Sequence, residues 1–172
     1  ALKSKRRTNA ARSPRVTPRT IGDAESEQPA TPSADPCGGL RETKGPGAGK
    51  TIVLIAGDEE YRTEESMPML AKILSQKHGF HCIVLFSWDS EGKYVDPNNQ
   101  AGVRGWEHLD SADLMLTGTR FRRPSAEDAK RVTKFLDAGK PIIGIRTATH
   151  AFTGKGSFGG KISYGAFGPL VM

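Results

Sequence analysis

Thr51-Ile52-Val53-Leu54-Ile55-Ala56-Gly57 is the stretch that decides the fold. It is a continuous apolar run of strand length, rich in β-branched residues and closed by glycine. A strand covered on one face alternates apolar and polar residues, whereas a strand covered on both faces does not, so this run predicts a buried strand of a parallel sheet. Downstream, Glu64 to His78 places Met67, Leu70, Ile73 and Leu74 at helical spacing, with Gly79 as the stop. Pro68 is tolerated only in a first turn, which puts the predicted helix start near Glu65 or Ser66. His81 to Trp88 (HCIVLFSW) reads as a second strand and Ala112 to Leu116 as a third. Ser125 is a good N-cap for a helix carrying Ala129, Val132, Phe135 and Leu136 on its buried stripe, ending at Gly139. Pro141-Ile142-Ile143-Gly144-Ile145 is a fourth strand. Strands alternating with amphipathic helices predict an α/β, flavodoxin-like doubly wound parallel sheet. From Thr153 to Met172 six glycines fall in twenty residues without clear periodicity. That end reads as irregular, with one short strand at Lys161–Tyr164, and the domain is expected to be incomplete at its C-terminus.

The 172 residues divide by composition. Residues 1–48 hold nine basic and five acidic side chains with almost no large apolar residue, and are expected to be a disordered basic tail. Residues 49–172 hold sixteen basic and fourteen acidic side chains and form the α/β domain. No aromatic residue interleaves the charges between Lys3 and Arg19, which argues against nucleic acid as a partner. No apolar run reaches 18 residues, so no membrane-spanning helix is expected. The chain as given carries no secretory signal. Its default location is therefore cytoplasmic, with secretion left open because it begins at Ala1 rather than Met. Two cysteines, Cys37 and Cys82, give no disulfide or metal framework. Gly45 to Thr51 imitates a phosphate-binding loop. Residue 44 is Lys where the motif needs glycine, and the segment precedes a strand instead of following one, so it reads as a flexible linker.

Polar clusters follow three of the strands: Asp58-Glu59-Glu60-Tyr61-Arg62, then Thr119-Arg120-Phe121-Arg122-Arg123, then Arg146-Thr147-Ala148-Thr149-His150. Open α/β sheets bind ligands at the carboxyl ends of their strands. With strand order 2-1-3-4 the three loops would meet over one crevice. Guanidinium forks, carboxylates and hydroxyls there suit a small polyhydroxylated or anionic molecule. Each residue also has a bland reading, as a turn cap, an ion pair or a solvated charge. No cofactor or metal is called for by the spacing, and His78, His81 and His108 read as non-catalytic.

Over roughly Lys50–Phe152 the chain resembles the ThuA-like family, the trehalose-utilisation proteins of the class I glutamine-amidotransferase-like superfamily. The pieces are IVLIAGDEEYRTEE (Ile52–Glu65), PNNQ (Pro97–Gln100), TRFR (Thr119–Arg122) and KPIIGIRTATHAF (Lys140–Phe152). The closest likeness is to large, often secreted bacterial members. The resemblance implies a flavodoxin-like sheet, a link to carbohydrate metabolism, and a site at the turn after KPIIGI. Glutamine amidotransferases carry a nucleophilic Cys at that turn, where this chain has Arg146, and an always-charged guanidinium is no nucleophile. The expected assignments are Arg146 and His150 as catalytic groups. Asp58, Glu59, Glu60, Tyr61, Arg62, Arg120, Arg122, Thr147 and Thr149 are expected to bind the ligand. Asp58 or Glu59 is expected to hold the Arg146 guanidinium. The alternative is a non-catalytic interaction or regulatory module on the same fold. The oligomeric state is not legible.

Overall fold

A computed structural model of the chain describes residues 38–40 and 44–168, all within one compact unit, Pro32–Met172. The expected tail lies outside the described residues except at 38–40 and 44–48. There the chain forms a short strand and a glycine-rich turn. Strand β1 (Gly38–Leu40) pairs antiparallel with β3 (His81–Leu85). Gly47 is buried and donates its N–H to the His78 carbonyl at 2.8 Å, so the glycine-rich turn is fastened to the end of α1 (Thr63–His78).

The remaining strands are β2 (Thr51–Gly57), β4 (Leu114–Thr119) and β5 (Ile142–Gly144). The sheet order is β1-β3-β2-β4-β5, with β3, β2, β4 and β5 mutually parallel. This is the 2-1-3-4 order of a flavodoxin-like sheet. Alternation along β2 explains why it is apolar throughout. Ile52, Leu54 and Ala56 pack with Met67 and Ala71 of α1 on one face. Val53 and Ile55 point to the other face, where α2 (Ala126–Asp137) lays Ala129, Val132 and Phe135. Both faces are covered, so Ile52 to Ala56 are apolar without a break.

The local signals hold with small shifts. Ser125 accepts the Asp128 N–H at 3.1 Å as the N-cap of α2, and Gly79 follows α1 at φ 78°. α1 starts earlier than expected, at Thr63, so Pro68 occupies its sixth position and leaves the Glu64 carbonyl without an N–H four residues on. Ile73, expected on the buried stripe, is exposed; Ser75 is buried instead. β4 runs on to Thr119, past the end that its apolar residues mark.

The glycine-rich end is ordered through its aromatics. β6 (Ser157–Phe158) and β7 (Ile162–Ser163) form a small antiparallel hairpin. Phe152, Phe158, Tyr164 and Phe167 gather edge-to-face and tilted, with Phe152–Phe158 centroids 4.9 Å apart and Phe152–Phe167 centroids 4.8 Å apart. They join the α2-side core with Phe135 and Met115. Burial raises the Tyr164 phenol above its ordinary pKa. Glycine supplies the turns, and the aromatic rings supply the apolar area that orders them.

Candidate ligand site at the carboxyl edge of the sheet

The chain leaves β2 for β3 on one side and β4 for β5 on the other. The switch point therefore lies between the carboxyl ends of β2 and β4, where doubly wound sheets place ligands. The loops after β2, β4 and β5 do converge there, but their charged groups divide into two sets.

The first set is structural. Arg122 is buried at 0 % exposure and spends its donors inside the protein. Its Nε donates to the Arg120 carbonyl at 2.7 Å. Its Nη1 donates to the carbonyls of Pro97 at 2.9 Å and Asn99 at 3.1 Å, and reaches Ser87 Oγ at 3.4 Å. Its Nη2 pairs with Glu59 Oε2 at 3.2 Å. Burial lowers its pKa, with partial compensation from Glu59, Asp58 and Asp96. The other oxygen of Glu59 takes Arg120 Nη1 at 3.0 Å, and the same nitrogen lies 2.7 Å from Glu60. Arg122 was expected to meet a ligand; its place is instead that of a bolt joining the loops after β2, β3 and β4. The bolt needs Gly57, because a Cβ there would lie 2.9 Å from Arg122 Cδ. Two of the pieces that carry the family resemblance, PNNQ and TRFR, are thus in direct contact.

The second set spans the end of β4 to reach the loop after β5. Asp58 is fully buried. Its Oδ1 accepts the N–H groups of Glu60 at 2.9 Å and Tyr61 at 3.3 Å, and its Oδ2 accepts the Thr147 hydroxyl. The Arg146 guanidinium carbon sits 4.1 Å from the centroid of the Tyr61 ring. The expected pairing of Arg146 with Asp58 or Glu59 is not present, because those carboxylates are taken by Thr147, Arg120 and Arg122. Among the described residues no carboxylate lies within 4 Å of the Arg146 guanidinium. Thr149 Oγ1 and His150 Nδ1 are 2.7 Å apart, and His150 is exposed with its ring 6.1 Å from that of Phe121. Arg62 points elsewhere, paired along α1 with Glu65.

The backbone marks the same place. Among the described residues three that are not glycine hold left-handed φ angles: Arg62 at 51°, Phe121 at 55° and Arg146 at 55°. One follows each of β2, β4 and β5. Such conformations cost roughly 1–3 kcal/mol each and gather at functional sites. Phe121 is held there by its N–H to the His150 carbonyl at 2.7 Å, followed by Arg122 N–H to Ala151 O at 2.8 Å.

A concavity of about 610 Å³ lies beside this edge, on the loop after β3, lined by Asp89, Glu91, Tyr94, Asp96, Asn98 and Asn99. Its size exceeds its chemistry. Asp89 is absorbed by backbone N–H groups of Glu91, Lys93 and Tyr94, and Glu91 pairs with Lys93. Burial alone would raise the Asp89 pKa, but these N–H groups and that of Gly92 bring it net below the ordinary value. The Arg146 side holds the unspent charge, so the candidate site is placed there.

Sequence reading missed Ser87, Gly57, Thr63 and Phe121. Thr63 Oγ1 accepts the Gly57 N–H at 3.0 Å and secures the β2 turn. A strand-ending glycine followed six residues later by Thr was a usable signal for it. Phe121 had none, since its φ depends on the pairing with residue 150. Among the described residues no group of three or more His, Cys, Asp or Glu is arranged to hold a metal ion. No described helix is long and apolar enough to cross a membrane. No family model, curated protein or solved structure matches this chain.

Proposed function

We propose that this chain is a ThuA-like domain that binds or acts on a small polyhydroxylated ligand, of trehalose-type sugar chemistry, at the carboxyl edge of its sheet. It does so without the glutaminase reaction of amidotransferases. The observation that supports this is the turn at Arg146. A left-handed, non-glycine residue just after the edge strand β5 carries an uncommitted guanidinium, clamped to the loop after β2 by Tyr61 and by the Thr147–Asp58 hydrogen bond. In this reading Arg146 anchors the ligand, Thr147 and Thr149 face its hydroxyls, and His150 is the proton-transfer group. Glu59, Glu60, Arg120 and Arg122 shape the wall.

The test is calorimetric titration of the full chain with a panel of mono- and disaccharides, repeated with Arg146→Lys. Saturable binding that weakens about tenfold in the variant, with its melting temperature unchanged, supports the reading. A lower melting temperature with unchanged affinity refutes it.

A second reading, a non-catalytic module on the same fold, is favoured by one observation. Asp58, Glu59 and Glu60 are all engaged internally, so none of these three carboxylates is left as a general base. A bound sugar that is never turned over, with or without His150→Ala, would select this reading.

A further inference from the structure

We infer that the ligand carries an oxyanion, a phosphate or a carboxylate, and that Arg146 over Tyr61 is its seat; this rests on the reading of the carboxyl edge as a small-molecule site. Charge pairing across that edge carries the inference. Four carboxylates of the loop after β2 and the first turn of α1 are spent: Asp58 on two N–H groups and a hydroxyl, Glu59 on two guanidiniums, Glu60 on Arg120, and Glu65 on Arg62, while Glu64 keeps one buried oxygen without a partner. Arg62, Arg120 and Arg122 are spent in return. Of the arginines in the loops after β2, β4 and β5, Arg123 and Arg146 are left without a carboxylate, both exposed, and of these two Arg146 is the one held over a ring, that of Tyr61.

A ring face accepts no directed hydrogen bond of ordinary strength from five N–H donors, so the fork of Arg146 keeps its capacity for a planar, two-oxygen partner. The ring limits the positions of the long side chain, and the left-handed backbone with the Thr147–Asp58 bond fixes its root. The entropy of ordering an arginine is therefore largely met before a ligand arrives. The hydroxyls of Thr147 and Thr149 stand on the same short turn, Arg146–His150. A neutral sugar would use those hydroxyls and leave the positive charge unmatched. A phosphorylated sugar or a sugar acid uses both.

The experiment titrates the full chain with glucose, trehalose, glucose 6-phosphate and glucuronate at low ionic strength, then at raised ionic strength. It is repeated with Arg146→Gln and Arg146→Gly. The charged probes are expected to bind about tenfold or more tightly than glucose. That margin should shrink with salt and vanish in both variants. Arg146→Gly relieves the left-handed strain, so lost binding in a protein of equal or higher melting temperature is not misfolding. Glucose 6-phosphate and glucuronate separate phosphate from carboxylate as the preferred group. If glucose or trehalose binds as tightly as the charged probes, the oxyanion inference falls and the sugar reading stands. Charged probes that bind equally well to Arg146→Gln would place the seat elsewhere and overturn the inference. Binding of no probe overturns both.

Discussion

The two edges of the sheet solve the same problem with different residues. At the amino edge the chain turns through left-handed glycines: Gly79 before β3 at φ 78°, Gly139 before β5 at 64°, and Gly49 before β2 at 79°. At the carboxyl edge the same region of backbone space, after β2, β4 and β5, is held by Arg62, Phe121 and Arg146. Charge follows the same division. The amino edge carries an exposed pair, Lys50–Asp113, whereas the carboxyl edge buries Arg122 and Asp58. Where only a turn is needed, the cheapest residue occupies it. Where a side chain is retained despite the strain, the side chain is what is being kept.

The sharpest way to break this comparison is at the buried charge. Arg122→Ala leaves Glu59 half-paired and strips a partner from the carbonyls of Pro97 and Asn99, so unfolding in urea should show a loss of about 3–5 kcal/mol. Lys50→Ala at the amino edge should cost about 0–1 kcal/mol by the same measurement, because its partner is exposed and screened. Comparable losses would erase the distinction between the edges.

Glycine exchanges come next. Gly79→Ala combines a left-handed φ with a Cβ driven against the Lys44 carbonyl, and should lose at least about 1–2 kcal/mol. Gly139→Ala meets nothing within 4 Å and should show the backbone cost alone, about 1 kcal/mol. Arg146→Gly should run the other way. Relief of strain, set against the greater freedom of glycine in the unfolded chain, predicts a gain of roughly 0.5–1 kcal/mol. A thermal melt in which Arg146→Gly is destabilised would mean that Arg146 is structural.

Acid response is a smaller effect. The Asp113 carboxyl sits below its ordinary pKa, chiefly through the Thr51 N–H at 2.8 Å, against some desolvation and with help from Lys50 and Lys140. A folded pKa below the unfolded one gives stability that is present above about pH 4 and lost as pH falls through the lowered value. Melting temperature followed downward from pH 5 should fall less steeply in Asp113→Asn than in the native chain. Asp89→Asn should behave alike on the other edge, since its carboxyl is also lowered. An unchanged slope in both variants would remove these carboxylates from the acid transition.

The smallest signal is chemical. Cys82 lies fully buried in the α1-side core, and burial pushes its thiol up to about 11. In a Cys37→Ser background a thiol reagent at neutral pH should label Cys82 only when the chain opens. Rapid labelling of the folded protein would contradict the packing of that face.

The fold was readable because two-face burial writes itself into β2 as an unbroken apolar run, and because Ser125 and Gly79 act through neighbours a few residues away. The site was readable only as a neighbourhood. Asp58, Tyr61, Arg146, Thr147 and His150 fall at strand ends that the topology gathers. Arg120 and Arg122 differ in burial although they sit two residues apart in one motif; nothing local separates them, since the difference lies in Pro97 and Asn99 some twenty residues earlier. The aromatic cluster escaped because Phe152, Phe158, Tyr164 and Phe167 follow no strand or helix period. Their spacing is set by the hairpin turns between them.

The Arg122 bolt also bears on how freely the chain can vary. Three of its acceptors are main-chain carbonyls, at Arg120, Pro97 and Asn99, which every amino acid supplies. The loop that it fastens can therefore drift in sequence at position 97 so long as its path is kept. Arg122 itself, and the Gly57 that makes room for it, have no such latitude. Substitution is thus tolerated where the loop is held by its main chain alone, and barred where the Arg122 side chain needs the space left by Gly57.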